Sequence, residues 1–295
     1  MGFFSNYQGK EDGAIRFYDV KSGKTKFWVI LMFIACITIA VIALFPVFWL
    51  LCTSLKDLTE YMSTTQILPK NPDWKGWVDT WNAFGFTKYY INSGITVVGG
   101  VICAVFFNGL LAYVLAVLKP KGHRIVMMLV MWCLLIPPTT SFVALFVNIK
   151  RIGLLGSFIP LWLAMGANAY WVVLFKNYFE SLPKDFLEAA RIDGCGSFRV
   201  FLRIVLPLSK PIIMVVAIFA VTAAWSDFLM PYLLLNGTNG KETVMVKLFT
   251  FNSSIKTNQI DLIRAVLYSL IPPTIIFAVF QKQIMDGVMS GGIKG

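Results

Sequence analysis

The densest polar chemistry in the chain lies in Glu188-Ala189-Ala190-Arg191-Ile192-Asp193-Gly194-Cys195-Gly196, followed by Ile204-Val205-Leu206-Pro207. Glu188, Arg191 and Asp193 can form ion pairs, and Gly194 can turn the backbone, but no nucleophile stands beside a base. Elsewhere catalytic groups are scarce. His123 is the only histidine, set in the basic turn Lys119-Pro120-Lys121-Gly122-His123-Arg124, where it reads as an interfacial loop residue. Cys36, Cys52, Cys103, Cys133 and Cys195 form no CxxC pair, and four of them sit in apolar runs. They read as small buried hydrophobes. No HExxH zinc motif, GxSxG elbow or phosphate-binding P-loop occurs. The expected chain is therefore no enzyme, with no catalytic, cofactor-binding or metal-binding residues of its own.

The elements that would position the polar stretch are apolar. The 295 residues are 57% hydrophobic and 14% charged, with a mean hydropathy of +0.71, whereas a soluble domain carries about 25% charge. Uncharged runs cover 27–55, 89–118, 125–149, 152–175, 211–226 and 265–281. A spanning helix needs about 20 mainly apolar residues. The spacing predicts an all-α integral membrane protein with six transmembrane helices, at 27–52, 90–118, 124–147, 157–177, 209–234 and 262–282. The domain plan is a cytoplasmic tail at 1–26, a six-helix membrane domain at 27–282 and a cytoplasmic tail at 283–295.

Placing the N-terminus inside gives sixteen Lys and Arg in inner segments and nine in outer ones, with Arg264 at the head of the last helix. This bias predicts both termini on the cytoplasmic face. Topology then accounts for the net charge of +11, and no basic stripe with interleaved aromatics suggests nucleic acid. In the outer segment 53–88, Trp74, Trp77 and Trp81 suit the membrane interface or a partner's surface, the interface being preferred. Gly99, Gly100 and Gly109 read as close-packing positions. Pro137-Pro138 and Pro272-Pro273 are expected to break the backbone ladder within the membrane. Asp227 and Arg264 fall at similar depth on neighbouring helices. They either pair, or Arg264 bonds Asp261 one turn away.

The polar stretch itself, within a loop at 181–207, reads as helix–turn–helix. Ser181-Leu182-Pro183 opens a helix, and Gly194 ends it by taking a left-handed backbone. Ser197 caps a second helix, in which Phe198, Phe201, Leu202 and Val205 form one apolar stripe. Such a hairpin could lie on lipid headgroups or seat a helix in a partner's groove. Periodicity leaves both open.

The pattern Glu-Ala-Ala, Gly194, then Ile204 and Leu206-Pro207, resembles the EAA loop of bacterial ABC importer permeases. Further stretches are similar to the carbohydrate, maltose-type (MalG-like) branch of that family. They are Tyr90-Ile91-Asn92-Ser93, Ala112-Tyr113-Val114-Leu115-Ala116, Leu182-Pro183-Lys184-Asp185-Phe186, Trp225-Ser226-Asp227-Phe228 with Pro231, and the ending Gly291-Gly292-Ile293-Lys294-Gly295. Ser226 departs from the asparagine more usual there, and Cys195 from alanine.

The resemblance implies a type I ABC importer permease fold and a cytoplasmic coupling helix. It implies four kinds of partner: a homologous second permease, two ATPase subunits that bind ATP and Mg, an extracytoplasmic solute-binding protein, and the bilayer. The implied solute is a sugar or oligosaccharide. Glu188, Ala189, Ala190, Arg191, Asp193 and Gly194 would form the ATPase contact. Lys294 and Gly295 would add a tail contact, and Asn92, Trp225 and Asp227 are candidate translocation-path residues. The alternatives are an ABC permease for a non-sugar solute and an ATP-independent secondary transporter. The latter would need ion-relay carboxylates deep in several helices, and only Asp227 is remotely so placed.

Overall fold

The computed structural model describes residues 23–192, 194–235, 237, 240–252 and 258–292. Every regular element among these residues is a helix. Three helices, Gly23–Ser54, Phe86–Leu118 and Gln259–Gln281, are long and apolar enough to cross a membrane. Three bent helix pairs each pass the same test together, giving up to six spans.

The chain divides into two units, 1–74 and 75–295. In the first, α1 (Gly23–Ser54) runs unbroken through Pro46. It exposes large apolar residues along its length, among them Ile39, Ile42 and Leu44, as a lipid-facing helix should. After it, Asp57 caps α2 (Leu58–Ser63) by accepting the Glu60 amide at 2.6 Å. Glu60 in turn accepts the Lys70 amide at 2.7 Å.

The second unit comprises α3 (Trp74–Phe84), whose first residue belongs to the preceding unit, and the elements after it. α4 (Phe86–Tyr113) continues as a π-helical turn, Val114–Leu118. Next come α5 (His123–Leu135), α6 (Phe142–Arg151), α7 (Ile159–Met165) and α8 (Ala169–Glu180). The loop helices are α9 (Lys184–Ile192), α10 (Ser197–Val200), a π turn at Phe201–Val205 and α11 (Leu206–Leu208). The remainder are α12 (Lys210–Ser226), α13 (Leu229–Leu235), α14 (Val244–Asn252) and α15 (Gln259–Gly292).

α4 is the hub, packed against α7, α8 and α12. Its glycines permit this. The Trp162 indole lies over Gly99, where an added Cβ would fall 2.2 Å from the ring, and Trp162 Nε1 donates to the Ile95 carbonyl at 3.1 Å. Trp77 and Trp81 join an intramolecular aromatic cluster with Phe86, Tyr90 and Tyr268.

Backbone breaks inside a membrane must be satisfied by protein groups, and α4 supplies them. α7 and α8 meet at 46°. Asn108 staples the gap, donating Nδ2 to the Met165 carbonyl at 2.9 Å and accepting the Asn168 amide at 2.8 Å. Pro137-Pro138 does break its span, bending α5 from α6 by 97° across an extended Ile136 and Pro137. Pro272-Pro273 does not: α15 continues through both. A proline frees the carbonyl four residues earlier, here those of Tyr268 and Ser269. Tyr90 donates its hydroxyl to the first, and Trp225 Nε1 donates to the second at 3.0 Å.

Candidate functional site

The polar loop folds as two short helices around Gly194. α9 turns Leu187 and the buried Ala190 toward the core, leaving Glu188 and Ala189 exposed. Ala190 therefore permits close approach within this chain, whereas Ala189 faces outward. Gly194 has φ +71°, and the Cys195 amide donates to the Ala190 carbonyl at 3.0 Å. A left-handed glycine with this reach-back hydrogen bond is the Schellman ending of a helix. The Arg191 backbone belongs to α9, while Asp193, Lys294 and Gly295 lie outside the described residues.

Three local expectations need correction. Ser181 donates its hydroxyl back to the Tyr178 carbonyl at 2.7 Å, ending α8 rather than opening α9. Ser197 is the first helical residue and makes no cap bond, Gly196 holding the cap position. The second helix buries Val200, Phe201 and Val205 but exposes Phe198 and Leu202. The π turn at Phe201–Val205 adds a residue to one helical turn and rotates the apolar face away from a regular 3.6-residue phase. Phe201 packs under Tyr113, ring centroids 5.4 Å apart, and beside Gly109.

The outward side of α9 is mixed. Phe186 is 53% and Ile192 86% exposed, and Asp185 and Glu188 are exposed as well. Beside it opens a cleft of about 340 Å³, lined by Lys119, Glu180 and Glu188 over Ala116, Phe179 and Leu187. Lys119 and Lys176 reach Glu180 at 3.8 and 2.8 Å. Lys119 has φ +47°, a conformation that bulky residues rarely adopt. It sits where the π turn of α4 gives way to the short turn into α5.

Each of the three candidate path residues makes a hydrogen bond within the chain. Asn92 is buried and donates Nδ2 to the Gly240 and Glu242 carbonyls, both at 2.9 Å. It straps the segment before α14 onto α4, aided by Ser93, which accepts the Val244 amide at 2.9 Å. Trp225 is buried, with its N–H on Ser269. Asp227 caps α13, accepting the Met230 amide at 3.3 Å. Arg264 instead pairs with Asp261 at 3.4 Å and donates to Thr80, whose hydroxyl donates to Asp261 at 2.7 Å.

Residues 97–284 match the binding-protein-dependent transport system inner membrane components. The chain is 31% identical over 260 residues to the diacetylchitobiose uptake system permease protein NgcG of Streptomyces coelicolor, spanning 86% of this chain and 85% of that protein. It is 30% identical over 263 residues to the arabinooligosaccharides transport system permease protein AraQ of Bacillus subtilis, spanning 87% and 92%. The chain belongs to this family of permeases. Its fold matches a chain of a bacterial ABC transporter involved in the import of the acidic polysaccharide alginate. That match has a TM-score of 0.80 at 22% identity and covers 88% of this chain and 98% of that one.

As an inner membrane component of a binding-protein-dependent system, the permease is a multi-pass subunit that works with an ATPase and a solute-binding protein. Sequence reasoning missed the buttress of its loop: the two π turns, the Lys119–Glu180 pair and the outward Phe186 and Ile192. An apolar residue at each end of a charged nine-residue helix was the available signal for the last of these.

Proposed function

We propose that the permease is one of two homologous membrane subunits importing a sugar or oligosaccharide. Two ATPase subunits would hold ATP and Mg, and an extracytoplasmic binding protein would deliver the solute. Both termini would be cytoplasmic. ATP-driven closure of the ATPase pair would move α9, and through it the helices around α4, between inward-open and outward-open states.

The observation that carries this reading is the outward face of α9. A helix whose Ile192 is 86% exposed beside Glu188, on a backbone fixed by Gly194, presents both an apolar knob and a charge to a partner. Burying an exposed Ile and Phe side chain would contribute about 1.5–3 kcal/mol each. Glu188 would pair with a basic group of the ATPase. The similarity to NgcG, of a diacetylchitobiose uptake system, and to AraQ, of an arabinooligosaccharides transport system, supports the sugar class.

Deleting the gene and following uptake of labelled diacetylchitobiose, arabinooligosaccharides and galactooligosaccharides tests the proposal. Loss of energised uptake of at least one, restored by the wild-type gene, is the expected result. Undiminished uptake of every sugar, with loss of a non-sugar osmolyte, would remove the sugar assignment.

A further inference from the structure

We propose that Pro272-Pro273 is a hinge in α15, latched by Trp225 and Tyr90, which act as positioning residues for the reorientation; this rests on the transport cycle proposed above. Two adjacent prolines delete two consecutive rungs of a helix, leaving the Tyr268 and Ser269 carbonyls without intrahelical partners. In a membrane such groups need other donors. Each has its own, from a different span: Tyr90 of α4 on Tyr268 and Trp225 of α12 on Ser269. The donors also pack edge to face, centroids 5.4 Å apart.

The outer half of α15 is tied to α3. Tyr268 donates its hydroxyl to the Trp77 carbonyl at 2.6 Å, and Asp261 and Arg264 hold Thr80. Beyond the prolines the surroundings change. A groove of about 350 Å³, lined by Ile218, Thr222, Pro273, Thr274 and Phe277, separates α12 from the inner half of α15. One half is fixed, the other has room, and the joint between them is closed by side chains from the two helices it must move against. Release of the latch lets the inner half of α15 swing toward α12.

Spin labels at Ile102→Cys and Val279→Cys, in an otherwise cysteine-free chain within the complete transporter in lipid nanodiscs, read the swing. Val279 lies seven residues past Pro272, a lever of about 10 Å. Their separation is expected to change by several ångströms between nucleotide-free and ATP-trapped states, while Ile102→Cys with Gln259→Cys stays constant. Trp225→Phe or Tyr90→Phe should populate the trapped separation without nucleotide and lower uptake about tenfold. Pro273→Ala restores an N–H to the Ser269 carbonyl, so it should cancel the shift caused by Trp225→Phe but not that of Tyr90→Phe. Pro272→Ala should do the reverse.

A wild-type transporter that imports solute on ATP hydrolysis with no change in the 102–279 separation overturns the hinge and leaves the transport reading standing. A Trp225→Phe shift unaffected by Pro273→Ala overturns the latch. A complex that neither hydrolyses ATP nor imports overturns the transport reading, and the hinge with it.

Discussion

Gly194 is the residue on which the loop at 181–207 turns. Its φ of +71° costs an L side chain about 1–2 kcal/mol, and more for a β-branched one. No neighbour lies within 4 Å of an added Cβ, so conformation alone decides the outcome. Gly194→Val should cut uptake more than tenfold at normal membrane abundance, whereas Gly194→Asn, which tolerates this backbone, should retain most of it. Equal activity of the two variants in an uptake assay would mean that the turn does not matter. Gly99 is the opposite case: Trp162 occupies the space a side chain would need. Gly99→Ala should lower stability by about 1–3 kcal/mol, measured by thermal unfolding of the detergent-solubilised transporter, and Trp162→Leu should recover part of the loss.

Arg264 shows where residue-level reading stops. Sequence depth allowed it either Asp227 or Asp261, and nothing in the sequence fixed which helix faces meet. The structure pairs it with Asp261, one turn away, and gives Asp227 to the N-terminus of α13. Asp227→Asn and Arg264→Gln should therefore have additive effects on uptake and abundance. Asp261→Asn and Arg264→Gln should be coupled by about 0.5–3 kcal/mol. A coupled first pair would restore the cross-helix ion pair.

At the scale of elements, signals carried by neighbouring residues were legible. The Gly194 helix ending depends on residues within one turn, and the Pro137-Pro138 break on the two prolines themselves. The phase of the second loop helix was not, because a π turn depends on packing around Phe201. The staples across broken spans were also hidden, since their partners are distant: Asn108 reaches Met165, 57 residues on, and Tyr90 reaches Tyr268, 178 residues on. Polar residues in apolar runs were the visible signal, but they equally suited a solute path. Asn108→Ala removes one donor and one acceptor from the α7–α8 break. Leaving such groups unsatisfied costs about 1–3 kcal/mol each. The variant should show reduced folded yield and a lowered unfolding temperature, while Asn108→Gln should do no better, its longer side chain misplacing both contacts.

At the scale of the molecule, hydropathy separated the membrane runs well, because long uncharged stretches have few other uses. It could not show that three of them are bent pairs, with angles of 97°, 46° and 85°. Two of the bent pairs, α7–α8 and the one that ends in α12, pack against α4. The loop's proposed contact with an ATPase is the link on which every later step of the proposed cycle depends. A photo-crosslinking amino acid in place of Ile192, the most exposed apolar residue of α9, tests it in native membranes. Crosslinking to an ATPase subunit, with a yield that changes when ATP is trapped, is the result this account predicts. Crosslinks to lipid alone, in cells that still import solute, would contradict it.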